Sequence, residues 1–176
     1  MKMRYLKYAI IAVAVGFLYI SCAPNFSGDS SPLVGKPANE FSLQTIDGHT
    51  VRPSDYKGSV VVLDFWATWC GPCQQSLPNL NRLSNDAGLA KRGLKVLAVN
   101  SREPVATVRS FLDQNHYTLA VALDSDGSAE QAYQIDGLPT TVIIGRDGKI
   151  KKMFVGFDPD KGEAELLASI HQALAE

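Results

Sequence analysis

Residues 59–73 read SVVVLDFWATWCGPC, and they constrain the fold more than any other part of the chain. SVVVLDFWA is a continuous run of β-branched, aliphatic and aromatic side chains, the pattern of a strand covered on both faces. Directly behind it, CQQSLPNLNRLSNDAGLAKR places Leu77, Leu80 and Leu83 at helical spacing, with Pro78 marking a kink. A doubly covered strand that feeds a helix requires layers on both sides of a sheet. The junction itself carries two cysteines, Cys70 and Cys73, around Gly71 and Pro72.

The remaining pattern agrees with layering. EFSLQTIDGHTVRP has two short alternating arms around Asp47-Gly48, a hairpin signal. GLKVLAVN reads as a second buried strand, EPVATVRSFLDQNH as a helix with Pro104 in its first turn, TLAVALD as a third strand and SAEQAYQI as a short helix. PTTVIIGRDGKIKKMFVG folds back around Asp147-Gly148, and the last residues form an amphipathic helix with Leu166, Leu167, Ile170 and Leu174 inward. This order predicts an α/β sandwich with a mixed central sheet flanked by helices.

The N-terminus differs in kind. Lys2, Arg4 and Lys7 precede the apolar run YAIIAVAVGFLYI and then Ser21-Cys22, the layout of an export signal. The run falls short of the roughly 20 apolar residues of a confident membrane span. Residues 1–21 are therefore read as a signal peptide or membrane anchor, and Ser-, Gly- and Pro-rich residues 22–37 as a flexible linker. Residues 38–176 form the folded domain. LYISCA resembles a lipoprotein lipobox, with Cys22 as the lipidated residue and Tyr19 where leucine is commonest; an uncleaved anchor is the alternative. Removal of the segment takes the formal charge from −1 to −4. Neither value calls for nucleic acid as a partner, and a monomer is expected.

Three cysteines in an exported chain cannot all pair internally. A pair separated by two residues makes a poor staple, because the stabilisation grows with the loop closed. A structural zinc needs four ligands, and His49, His116 and His171 show no ligand spacing, so no metal site is expected. Redox chemistry is the remaining use. At a helix N-terminus, free backbone N–H groups favour thiolate over thiol. Cys70 is expected exposed and attacking, and Cys73 covered and resolving. Asp64 interrupts an apolar strand, where an unpaired carboxylate is costly; it faces solvent at a strand end or is a buried acid. Trp69 is placed on the surface beside the sulfur, and Trp66 and Phe65 in the core.

VLDFWATWCGPC, followed by GLPTT, resembles the thioredoxin superfamily. The anchor, linker, leading hairpin and the helix and strand inserted between VLAVN and GLPTT resemble its membrane-tethered TlpA/ResA branch, over about residues 34–175. The resemblance implies a thioredoxin fold with an N-terminal β-hairpin and an inserted helix-strand unit. It implies a cis-Pro139 opposite the disulfide, a substrate surface of Trp69, Gly71, Pro72, Leu138 and Thr140, and Asp64 as the acid that takes the proton of Cys73. No cofactor is implied beyond the Cys70-Cys73 disulfide. Gly-Pro is the dipeptide of reducing thioredoxins, whose potential lies near about −270 mV against about −120 mV for a strong oxidant.

The expected activity is reduction of disulfides in exported proteins by a membrane-anchored, periplasm-facing oxidoreductase that draws electrons from a thiol-relaying membrane protein. Haem-maturation members often carry glutamate three residues after the second cysteine; Ser76 stands there, which leaves a part in cytochrome c maturation open. Two other functions compete. A peroxiredoxin-like thiol peroxidase shares hairpin and fold, but its attacking cysteine follows P-x-x-x-T-x-x-C, whereas Thr68 lies two residues before Cys70. A non-enzymatic binding module would not need both cysteines.

Overall fold

The computed structural model describes residues 31–176. The export-type segment, Cys22 and the first part of the linker lie outside the described residues. In chain order the elements are the hairpin strands β1 (Leu43–Thr45) and β2 (Thr50–Val51), then β3 (Val60–Trp66), α1 (Gly71–Ser84), α2 (Ala87–Lys91) and β4 (Leu94–Ser101). They continue with α3 (Val105–Gln114), β5 (Ala120–Asp124), α4 (Ser128–Ala132), β6 (Thr140–Ile144), β7 (Ile150–Val155) and α5 (Gly162–Ala175). A 3-10 turn at Pro53–Tyr56 leads into β3. Among the described residues no helix is long and apolar enough to cross a membrane.

The strands form one sheet in the order β2-β1-β5-β4-β3-β6-β7. β3 is its centre, parallel to β4 from Val60↔Leu94 to Trp66↔Asn100 and antiparallel to β6. Parallel β4–β5 and antiparallel β6–β7 and β1–β5 pairings complete the mixed sheet. This is the expected thioredoxin-type α/β arrangement, with α3 and β5 as the inserted unit and the hairpin added at the β5 edge.

All seven residues of β3 are buried, and the period of two sorts them onto two faces. Val60, Val62 and Trp66 pack with Leu77, Leu80 and Leu83 of α1, Val108 and Leu112 of α3, and Ile170 and Leu174 of α5. Val61, Leu63 and Phe65 pack on the other face with Phe41, Leu43, Ala129 and Tyr133. Each such side chain contributes about 1.5–3 kcal/mol through burial. The central strand is therefore the firmest mount in the molecule, and its C-terminal end carries the cysteines.

Two local features depart from the sequence reading. Residues 31–37 are not free linker: Leu33 is buried, Gly35 N–H bonds the Ile150 carbonyl at 2.8 Å, Ile150 N–H bonds the Lys36 carbonyl at 2.9 Å, and Pro37 bridges to Lys149. The polar composition hid one anchoring leucine and backbone pairing that any residue can make. The expected single helix after the cysteines is two, because Asp86 caps a fresh start by accepting from Leu89 N–H at 2.9 Å. Pro78 lies inside α1 without ending it; Pro78 and Gln74 are exposed, so water can take the Gln74 carbonyl that proline leaves unpaired.

Candidate active site

β3 ends at Trp66, and Ala67–Cys70 turn the chain into α1, with Cys70 N–H closing onto the Ala67 carbonyl at 3.2 Å. Cys70 is the N-cap of α1, and its Sγ accepts the Cys73 backbone N–H at 3.2 Å. Sulfur thus takes the position in which Ser or Asp satisfies a helix's first donors. Cys70 and Cys73 are joined as a disulfide. Cys73 is fully buried, as expected. Cys70 is only 5% exposed, which corrects the expectation of an open sulfur: capping turns Sγ inward, over the helix end. It still borders a groove of about 430 Å³ whose walls include Trp69, Gly71 and Pro72 on one side and Ile135, Gly137 and Leu138 on the other. Trp69, 70% exposed, stands at its rim.

The Leu138–Pro139 peptide bond is cis. Leu138 reaches the groove, but Thr140 does not. Its side chain is buried, its hydroxyl donates to the Gly137 carbonyl at 2.7 Å, and β6 pairs it with Phe65 of β3 and Val155 of β7. Of the residues expected to face substrate, the structure therefore brings together Trp69, Cys70, Gly71, Pro72 and Leu138. Ser76 is buried, donates to the Cys73 carbonyl at 3.0 Å, and shares with Pro139 and Thr141 the lining of a small cavity of about 40 Å³.

Asp64 is fully buried in the middle of β3, not at a solvent-facing end. By the alternation of the strand it lies on the face of Val62 and Trp66, the face that α1 covers with Cys73 and Leu77. Thr141 Oγ1 donates to Asp64 Oδ1 at 2.7 Å, and Oδ2 has no hydrogen-bond partner. Burial pushes the carboxyl up to about 7, against a smaller opposing pull from the Thr141 hydroxyl. A carboxyl with that value and a free oxygen can take or release a proton at neutral pH.

A second carboxylate stands at the neighbouring strand end. Glu103, in the loop after β4, accepts the Thr68 backbone N–H at 2.7 Å, the Thr68 hydroxyl, and Asn100 Nδ2 at 2.8 Å. Gln74 Nε2 donates to the Thr68 carbonyl at 2.6 Å. Residues 34–153 match the AhpC/TSA family. This chain belongs to the AhpC/TSA family. Within it the chain is 34% identical to the thiol-disulfide oxidoreductase ResA of Geobacillus thermodenitrificans, over 88% of this chain and 86% of that one. It is 33% identical to ResA of Halalkalibacterium halodurans, over 88% and 85%. A crystal structure of a putative thiol:disulfide interchange protein DsbE from Chlorobium tepidum superposes with a TM-score of 0.72 at 39% identity, covering 78% of this chain and 95% of that chain. The exposed lipoprotein thioredoxin Etrx1 of Streptococcus pneumoniae gives 0.66 at 32% identity, over 76% and 98%. With its Cys70–Cys73 disulfide, this AhpC/TSA-family chain has the activity class of a thiol–disulfide oxidoreductase.

Thr68, Asn100, Glu103 and Thr141 were given no role in this site by the sequence reading. One signal points at the first three: in open α/β sheets, sites gather beyond the carboxyl ends of parallel strands. The adjacent ends of β3 and β4 are Trp66 and Asn100, which pair in register.

Proposed function

We propose that this protein is an extracytoplasmic disulfide reductase, held to a membrane through its N-terminal segment and acting on disulfides of exported proteins. The observation that carries this reading is the unlike setting of the two sulfurs. Cys70 caps the helix beside the groove, and Cys73 is sealed behind it. Cys70 thiolate attacks a substrate disulfide, forming a mixed disulfide and releasing one substrate thiolate. Cys73 gives its proton to Asp64 and attacks Cys70 Sγ. The second substrate thiolate leaves and the Cys70–Cys73 bond forms. Two electrons and two protons then have to come from an external dithiol, the role assigned to a thiol-relaying membrane protein. The export-type segment, the Cys22 lipobox and the ResA and Etrx1 relatives support the location. Trp69, Gly71, Pro72 and Leu138 form the walls against which the substrate segment lies, with Pro139 beneath it.

Reduction of insulin disulfides tests the activity. Wild type catalyses it with dithiothreitol as donor, Cys70→Ser abolishes it, and Cys73→Ser accumulates mixed disulfides on Cys70 in cells. An inactive wild type that consumes peroxide when reduced would make the protein a thiol peroxidase instead. Apocytochromes among the trapped clients would extend the reading to cytochrome c maturation despite Ser76.

A further inference from the structure

Glu103 lies outside the motif that marks the redox pair, 33 positions after Cys70 in sequence. Yet it is bonded to the residue two places before that sulfur. Thr68 is held at each of its polar groups: N–H and hydroxyl by the Glu103 carboxylate, carbonyl by Gln74 Nε2. Asn100, itself fully buried, spends its amide on the same carboxylate. Hydrogen bonds to a carboxylate are among the stronger ones in proteins. The turn from Ala67 to Cys70 is therefore pinned from two sides.

We propose that Glu103 is a positioning residue of the redox site, a clamp on Thr68 that holds the Cys70 sulfur over the first turn of α1 once the disulfide has been reduced. In the oxidised protein a covalent bond fixes Cys70 to Cys73. In the reduced protein that restraint is gone, and the sulfur keeps its contact with the Cys73 N–H only if the turn before it stays in place. The clamp acts on the half of the site that the helix does not itself hold, because Cys70 is the N-cap whereas Cys73 is anchored within α1. Misplacement of a nucleophile by about 1 Å costs up to about a hundredfold in rate.

The bonding pattern separates geometry from charge. Oε2 accepts both Thr68 N–H and Asn100 Nδ2, and Oε1 accepts the hydroxyl. A glutamine with its oxygen at the first place and its amide nitrogen at the second makes all three contacts, the amide donating to the hydroxyl, without a charge. Alanine makes none.

The inference rests on Cys70 being the attacking sulfur. Its test is the rate of iodoacetamide alkylation of Cys70 in the reduced full chain across pH, assigned by mass spectrometry, alongside kcat/KM for a disulfide-bonded peptide. E103A is expected to move the midpoint of the alkylation profile upward and to lower kcat/KM about tenfold or more. E103Q is expected to rescue most of both losses. T68V, which removes the hydroxyl bond alone, is expected to shift both in the same direction by less, and T68V/E103A to be no worse than E103A. An E103A profile that superposes on wild type overturns the clamp. So does an equal displacement in E103Q and E103A, which would make the carboxylate act through charge. Where E103A does not fold, T68V takes its place, and an unshifted T68V profile overturns the clamp. A wild type that reduces no peptide, with E103A still shifting the alkylation profile, refutes the reductase reading and keeps the clamp.

Discussion

Asp64 has two oxygens in unlike settings, one bonded by Thr141 and the other with no partner. Its carboxyl releases its proton near 3.8 in an unfolded chain and near about 7 in the fold. Between those values the native protein holds a proton that the unfolded chain has lost. The stability contributed by Asp64 is therefore fully present below about pH 4, falls as pH rises through about 7, and levels off above it. The span is roughly three units, on the order of 4 kcal/mol at the alkaline end. Asp64→Asn does not titrate, so its melting temperature is expected to exceed that of wild type at pH 8 and to approach it at pH 4. Thermal denaturation at the two pH values checks this, and a constant difference would reject it. In the reaction the same variant is expected to slow release of substrate from the mixed disulfide most at neutral pH; stopped-flow on the Cys70 adduct measures it.

At the scale of elements, two contacts outside the active site are expected to matter. Asp86→Ala removes the cap that restarts the chain as α2, at a cost of about 1 kcal/mol in urea denaturation. Tyr133 is fully buried on the face opposite the cysteines, and its hydroxyl donates to the Asn39 carbonyl at 2.8 Å. Tyr133→Phe leaves that carbonyl short of a partner and is expected to lose about 1–2 kcal/mol in the same measurement, with turnover intact. The contrast with what could be read from the chain is physical. β3, the hairpin at Asp47-Gly48 and the cysteines at a strand–helix junction were legible, because a buried strand, a turn and a helix start each leave a local pattern. Cys73 behind Cys70 followed from helix geometry. The inward turn of the Cys70 sulfur, the withdrawal of Thr140 into β6 and the Glu103 grip on Thr68 were not legible. Each depends on hydrogen bonds between segments whose spacing carries no period. Asp64 was visible as an anomaly in an apolar strand, but Thr141 as its partner required the β3–β6 register.

At the scale of the molecule, the sheet is stitched together by sequence-distant pairs, and the disulfide contributes little to that. Its cysteines are three positions apart, so the bond adds at most about 2 kcal/mol by chain entropy, against about 4.7 kcal/mol for a 100-residue loop. Reduction is expected to lower the melting temperature by a few degrees and to leave the far-ultraviolet circular dichroism unchanged. Residues 31–37 contribute more than their composition indicates. A chain beginning at residue 38 loses the burial of Leu33 and the backbone bonds to Ile150, and is expected to be less stable by about 2 kcal/mol or more than one beginning at residue 31.

Those same seven residues also fix where the chain enters the domain. They pair with Lys149, just before β7, and with Ile150, its first residue, which lies level, through Ile144, with Val61 near the start of β3. Cys70 lies past the other end of that strand, which Trp66 closes five residue steps, or roughly 17 Å, from Val61. The chain therefore enters the domain near one end of the central strand and carries its cysteines and the groove past the other. A substrate held in the groove therefore sits at the end of the sheet away from residues 31–37.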